Sequence, residues 1–300
     1  MATSLTKESL QPMKYSLSKL IPFGIGIAVA TITYASVGWW GFWLVFPWIG
    51  GWITIGNFLA ARKKGKKKDI GRRVSILAAS PIFLVFLGVI QHENLQLEET
   101  VFYLYAGVFS RVLIHYAIAK IFGPLIWGRG FCGWACWTAA ILDWLPIKGN
   151  KPIAKGYTWL RYPVLAASLL LPWAFIQTGY NYTTLHIDER LGKFDQLIWF
   201  LVGNALYYIV AIALSFVFKK KRAFCKIACP VSLVMTPTTA LARLKRRPSG
   251  EECNGCEACN KQCPMDVDVM TPIMNGKPVT STECIYCGIC KHVCPTNAIK

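Results

Sequence analysis

Acidic side chains are scarce in this chain: 15 Asp and Glu face 33 Lys and Arg in 300 residues, a formal charge of +18. Histidine is rarer still, with 4 copies, and there is no His- or Met-rich tract. Such tracts mark metal-binding segments, so their absence counts against a metal-cargo protein. No cleavable leader is apparent, because the first apolar segment begins late and runs too long for one. Charge is missing altogether from residues 21–61. A soluble chain that is 54% hydrophobic would distribute its apolar residues periodically. Here they come in blocks.

The block at 21–61 is about twice the roughly 20 residues that cross a bilayer. It reads as two spans joined near Gly38 and Gly41, with Trp39, Trp40 and Trp43 in the interfacial aromatic belt. Further apolar stretches at 74–91, 101–125, 160–177 and 196–218 bring the expected count to six transmembrane helices. Residues 62–73 carry eight Lys and Arg against the single acid Asp69, and Lys219, Lys220, Lys221 and Arg222 follow the last span. Residues 92–100 hold Glu93, Glu98 and Glu99 with no Lys or Arg. The positive-inside rule then places both termini on the cytoplasmic side of the inner (cytoplasmic) membrane, in a multi-pass arrangement. From Glu251 onward six acids outnumber four lysines, so the positive charge is a collar at that membrane face. Its partner is anionic lipid rather than nucleic acid, and an acidic redox protein is a second use. The expected division is a cytoplasmic segment 1–20, a transmembrane domain 21–246 and a C-terminal module 247–300.

What the chain does have is 12 cysteines. Cys253, Cys256, Cys259 and Cys263 precede Pro264, and Cys284, Cys287, Cys290 and Cys294 precede Pro295. Both runs read C-x2-C-x2-C-x3-C-P, the second lying 31 positions after the first. This is the spacing of a bacterial two-cluster ferredoxin, in which the fourth cysteine of each run crosses to the other cluster. One [4Fe-4S] cluster is accordingly assigned to Cys253, Cys256, Cys259 and Cys294, and the other to Cys284, Cys287, Cys290 and Cys263. The prolines turn the chain away after each crossing cysteine, and Asn275-Gly276 between the runs signals a hairpin. Disulfides and zinc do not use this triplet-plus-one layout. The expected fold class is a mainly α membrane protein, a six-helix transmembrane bundle carrying a small cytoplasmic α+β two-cluster ferredoxin module.

The remaining four cysteines form a second repeat. Arg129-Gly-Phe-Cys132-Gly-Trp-Ala-Cys136-Trp137 returns as Arg222-Ala-Phe-Cys225-Lys-Ile-Ala-Cys229-Pro230, each copy following a span and leading into an amphipathic stretch. An i, i+4 pair points two thiols to one side of a turn. Two facing turns supply four thiolates, enough for a third iron–sulfur cluster or a Cu(I) or Zn site. The plainer alternative is that these thiols pack as small hydrophobes.

These motifs resemble the membrane-bound polyferredoxins that serve periplasmic nitrate reductase as quinol-oxidising subunits. Relatives act in nitrous-oxide-reductase maintenance and in cytochrome oxidase copper assembly. The likeness runs from about Val101 to Lys300 by motif order. Cys132 and Cys136 match the first C-x3-C-P motif of that family, and Cys225, Cys229 and Pro230 the second. Trp137 stands in place of the first proline, so a different backbone turn is expected there. No flavin-binding domain precedes the spans within these 300 residues and none follows the clusters, so the nitrate-reductase type is expected over the others.

Membrane position and the resemblance together imply quinol or quinone as the exchangeable substrate. Arg111 and His115 share a helix face near mid-depth of the fourth span. His115 can exchange a proton with quinol and Arg111 can polarise a quinone oxygen. Alternatively Arg111 bonds within the bundle and His115 packs. Lys120 is expected to snorkel to the surface, and Asn204, Tyr207 and Tyr208 to act as helix-packing groups. The expected function is electron transfer between membrane quinol and a redox partner, such as another iron–sulfur or cytochrome subunit. The chain would then be a quinol-dehydrogenase component. The second reading is a copper-handling or reductase-assembly factor with the ferredoxin module as its electron source.

Overall fold

In the computed structural model, residues 17–180 and 189–300 are described. Most of the expected N-terminal segment, and the middle of the loop before the last span, lie outside the described residues. An uncharged run in lipid must satisfy its own backbone, and a helix does so within one segment. Residues 21–61 accordingly form α1 (Ile21–Val37) and α2 (Phe42–Ala61), with the break at Gly38, which closes α1 in the left-handed conformation. Trp40 and Trp43 are exposed as expected of a belt, but Trp39 turns inward against Phe42, Phe86 and His115. Next come α3 (Asp69–Pro81), continued by a π-helical stretch over Ile82–Ile90, and, later in the chain, α10 (Arg161–Gln177) and α11 (Glu189–Val217).

Among the described residues five helices are long and apolar enough to cross a membrane. The stretch 101–125, expected to be another, is not one helix. It divides into α4 (Leu97–Ala106) and a second piece made of α5 (Arg111–Tyr116), a π-helical turn Ala117–Phe122 and α6 (Gly123–Trp127). Gly107, at φ 66°, ends α4, and the Ser110 hydroxyl accepts the Val112 N–H to start α5. At about 1.5 Å per residue, α4 reaches only half way through a bilayer. The acid-bearing segment before it also departs from expectation. Glu93, Asn94, Leu95, Gln96 and Glu99 are all buried, and Leu95 packs with Val45, Phe83 and Trp137. The chain re-enters the bundle there.

Short elements follow: α7 (Gly130–Trp134), α8 (Trp137–Leu142), α9 (Lys155–Thr158), α12 (Ala223–Ile227), α13 (Val231–Val234) and α14 (Thr236–Ala240). The C-terminal module adds α15 (Ala258–Lys261), α16 (Met270–Met274) and α17 (Ile289–Val293). No strand occurs among the described residues. The sheet expected of an α+β module is reduced to one antiparallel bridge, Pro248 with Ile299, flanked by reciprocal bonds between Arg247 and Lys300. The Asn275-Gly276 signal is corrected as well. Gly276, at φ 67°, terminates α16, and the Lys277 N–H returns to the Pro272 carbonyl at 2.8 Å. With no strands to join, the left-handed glycine closes a helix.

One buried node ties these pieces together. Asp143, just after α8, accepts hydrogen bonds from Arg72 Nη1 (2.7 Å) and from Arg222 Nε (2.8 Å) and Nη2 (2.6 Å). Arg72 also donates to the Gly133 carbonyl, and Arg222 to the Cys132 carbonyl. Removing one partner of a buried ion pair strands the others and costs about 3–5 kcal/mol. Asp143→Ala is therefore expected to lower stability by that amount in thermal unfolding of the detergent-solubilised protein. A loss under about 1 kcal/mol, the range of an exposed pair, would contradict the role given to the node.

Candidate functional site

The two C-terminal cysteine runs share one backbone course. Gly255 and Tyr286 stand before the second cysteine of their runs, Glu257 and Gly288 after it, and all four have φ between 55° and 81°. Asp266 and Asn297, three residues past each crossing cysteine, are also left-handed. Side chains adopt this conformation at a cost of about 1–3 kcal/mol, and it persists where surroundings impose it. The crossing sulfurs are treated alike too. Cys263 Sγ accepts the Val267 N–H at 3.4 Å, and Cys294 Sγ accepts the Ala298 N–H at 3.3 Å.

Cys253, Cys256, Cys259 and Cys294 line one small cavity with Met270 and Ile273. The sequence assigns these same four to one cluster. Cys263, Cys284, Cys287 and Cys290 lie in or against the hydrophobic core that also holds Ile285, Cys132, Cys225 and Met235, and that Cys253, Cys259 and Cys294 join. Burial pushes the Cys287 thiol up to about 11 and Cys290 up to about 12. Thiolates there need a bound cation to compensate lost water, and cluster iron does so. Among the described residues no three His, Cys, Asp or Glu converge closely enough to hold a single metal ion. Eight thiols in two runs of this spacing suit polynuclear clusters, whose corners stand apart.

The other four cysteines lie on two superposable turns. In α7 the N–H groups of Ala135 and Cys136 both bond the Phe131 carbonyl, at 2.9 and 3.0 Å. In α12 Ala228 and Cys229 bond Phe224 at the same two distances. Both turns therefore have one conformation through the second cysteine, despite Trp137 replacing a proline. The bonds that close the turn lie upstream of position 137, so no proline is required. Cys132 and Cys225 are buried, and Cys132 Sγ lies 3.7 Å from Met235 Sδ. Burial pushes Cys225 up to about 11 and raises Cys229, and in both cases the neighbouring thiols Cys132 and Cys136 add to the rise. The four thiols thus share one desolvated neighbourhood.

The second run sits directly on this neighbourhood. Glu283, immediately before Cys284, receives Arg129 (2.7 Å) and Arg161 (2.8 Å). Asp266, past Cys263, receives Lys220 and Lys226. Trp134 Nε1 and Arg246 Nη2 both donate to the Tyr286 carbonyl at 3.2 Å. A Cβ on Gly133 would fall 2.2 Å from the Ile285 carbonyl oxygen, so only glycine lets α7 and this loop touch. Sequence reasoning missed these contacts. Their one legible trace is that, in an acid-poor chain, Glu283 and Asp266 flank cysteine runs.

An apolar cavity of about 530 Å³ opens inside the helix bundle, within the range of small-molecule sites. It is bounded by α1 and α2 on one side. His115, Tyr116 and Lys120 line it, as do Trp134 and Tyr286, the latter within the second cysteine run. Arg111 is not among its lining residues. It pairs with Glu93 at 2.7 Å and lies 4.5 Å over the Trp39 ring, within the bundle. Its carbonyl meets His115 Nδ1 at 3.1 Å. Lys120 does not snorkel. It is 6% exposed, with Nζ 3.1 Å from the Phe131 ring centroid. Asn204 and Tyr208 bond Trp137, and Tyr207 bonds Glu98.

Comparison with known proteins matches residues 252–299 to the 4Fe-4S dicluster domain family and residues 114–153 and 202–248 to the 4Fe-4S binding domain family. The latter two segments contain the two C-x3-C turns. The chain is 27% identical to the ferredoxin-type protein NapH of Haemophilus influenzae over 63% of this chain and 67% of that protein. It is 24% identical to the methylamine utilization ferredoxin-type protein MauN of Methylorubrum extorquens over 87% of this chain and 83% of that one. No solved structure matches the chain. It is a multi-pass membrane polyferredoxin with an iron–sulfur electron-transfer function. Its particular likeness is to NapH.

Two tests follow from the seat of the second run. Gly133→Ala should separate α7 from the Ile285 loop and expose 247–300 to limited proteolysis, and an unchanged digestion pattern would contradict the close contact. Burial alone would raise the Asp266 and Glu283 carboxyls, but Lys220 and Lys226, and Arg129 and Arg161, outweigh it and hold both below the usual carboxylate range. A depressed folded pKa gives stability that is full above the unfolded value of about 4 and lost as pH falls through the folded one. Protease protection of 247–300 should therefore hold at pH 5–8, as a rough window, and fall below about pH 4. Loss on raising the pH from 6 to 8 instead would contradict these pairs.

Proposed function

We propose that the chain passes electrons between membrane quinol and a redox partner through two [4Fe-4S] clusters in the C-terminal module. The observation that carries this reading is the apolar cavity, whose lining includes His115 and Lys120 as well as Trp134 and Tyr286, next to Cys287. A lipid-soluble ring entering between α1 and α2 would stand beside the second run. The cysteines would hold the clusters in the crossed arrangement: Cys253, Cys256, Cys259 and Cys294 for one, Cys284, Cys287, Cys290 and Cys263 for the other. Bound there, the clusters supply one-electron chemistry. Cys132, Cys136, Cys225 and Cys229 would hold a third centre. The duplicated turn, which brings the four thiols into one desolvated neighbourhood, supports a shared centre there.

The protein's own residues have three tasks in this scheme. The cavity walls bind an apolar ring and exclude water. Oxidation of a quinol releases two protons with its two electrons, and His115 is the wall residue able to take a proton. Arg111 holds His115 by its carbonyl and is itself fixed by Glu93, so it positions His115 without touching the ring. The basic loop 62–73 and the lysines after α11 place the module on the cytoplasmic side, with the broken segment 97–127 completing the sixth crossing. Beside Cys294 a cleft is lined by Lys19, Lys66, Lys68, Lys291 and Lys300 and by no acid, which suits an acidic redox partner.

Menaquinol should reduce the [4Fe-4S] EPR signals of the purified protein, and signals indifferent to any quinol would sink this reading. Cys132→Ser and Cys225→Ser should each remove the same increment of iron and sulfide. Loss of bound copper in their place would turn the assignment toward metal handling.

A further inference from the structure

Lys120 is the buried ionisable group that the scheme above leaves without a task. It is 6% exposed, and among the described residues it has no ion pair and no hydrogen bond. Its Nζ lies over two ring faces, 3.1 Å from the Phe131 centroid and 5.9 Å from that of Trp137, with the Cys132, Cys136 and Cys229 thiols also within electrostatic reach. An ammonium held this way is only weakly compensated for lost water. It lines the apolar cavity together with His115 and Tyr116, whose Nε2 and hydroxyl are buried and unpartnered.

The helix is built to bring these groups to one wall. In a regular α-helix, side chains five apart diverge by about 140°. The segment Ala117–Phe122 is π-helical, with i→i+5 bonds, so residues five apart draw together, a feature common at functional sites. Lys120 lies within that wider turn and His115 two residues before it, and both line the cavity. Their hydrogen-bonding roles differ. The Arg111 carbonyl can only accept, so His115 Nδ1 carries the hydrogen and Nε2 is left as an acceptor. The Lys120 ammonium can only donate. The apolar, aromatic-lined cavity thus offers an acceptor at His115 Nε2 and a donor at Lys120, with the Tyr116 hydroxyl able to serve as either.

We propose that Lys120 and His115 bind the two oxygens of a quinol headgroup, Lys120 donating to one and His115 Nε2 accepting the O–H of the other. This rests on the quinol reading above and names the residues that would touch the ring. It carries a distinction between redox forms. Lys120 can donate to an oxygen of either quinol or quinone. His115 Nε2 finds a hydrogen only on the quinol. Lys120 therefore sets affinity for the ring, and His115 sets the preference for its reduced form.

The test uses the full chain in detergent, with menadione and its reduced form menadiol as probes and binding followed by calorimetry. A hydrogen bond to a charged group is worth roughly ten- to a hundredfold in affinity. Lys120→Met should weaken both probes by about that factor, and Lys120→Gln, which keeps an N–H donor, by less. His115→Phe should weaken menadiol by about tenfold and leave menadione within about twofold. Dithionite-reduced EPR signals equal to wild type establish that each variant is loaded and folded. If wild type binds both probes and both Lys120 variants keep both affinities, the inference is wrong and the quinol reading stands. Unchanged affinities with shifted cluster potentials would instead make Lys120 a counter-charge for the thiolates, which also overturns it. If wild type binds neither probe, the quinol reading itself fails.

Discussion

The pairing of a few carboxylates, Asp143 buried and Glu283 and Asp266 partly so, with an excess of buried cations is the constraint on which this molecule depends. Asp143, Glu283 and Asp266 each meet two positive side chains at the junction of bundle and module. A cation there without its acid would be a buried, uncompensated charge. The pairs therefore dictate which surfaces must stay together: α3 with α8 and α12 through Asp143, and the second cysteine run with α7 and α10 through Glu283. Placing the cysteines follows from that. Arg72 and Arg222 reach the carbonyls of Gly133 and Cys132, so the ion pairs also fix the backbone of the first C-x3-C turn.

Much of the site was legible because cysteine spacing is local. The two C-x2-C-x2-C-x3-C-P runs and the duplicated C-x3-C turn are features of short windows. In the structure the crossing Cys294 joins the first run's three cysteines around one cavity. The break between α1 and α2 was legible for the same reason, since Gly38 caps a helix by its own conformation. The partners of Glu283 and Asp143 were not, because Arg129 lies 154 positions from Glu283 and Arg72 lies 71 from Asp143. No local pattern announces such pairs.

The segment 92–127 was the least legible part. Its composition reads as a loop followed by a span, and Gly107 looks tolerable inside an apolar run. Backbone chemistry decides otherwise: a left-handed Gly107 and a Ser110 cap cut the helix, and the half that follows widens into a π turn. Lys120 passes for a snorkelling side chain under α-helical spacing, and that turn carries it inward. The same distortion makes the cavity polar at one wall. Arg111 moves in the opposite sense, from presumed ring contact to a support held by Glu93 and Trp39.

In the proposed scheme the cavity touches the second run at Tyr286, so electrons from a quinol bound there would reach the first-run cluster by way of the second. The most direct test is Cys290→Ser, which removes a ligand of the second-run cluster, followed by EPR of the first-run cluster. The account predicts that dithionite still reduces that cluster while menaquinol no longer does. Reduction by menaquinol at the wild-type rate would contradict it.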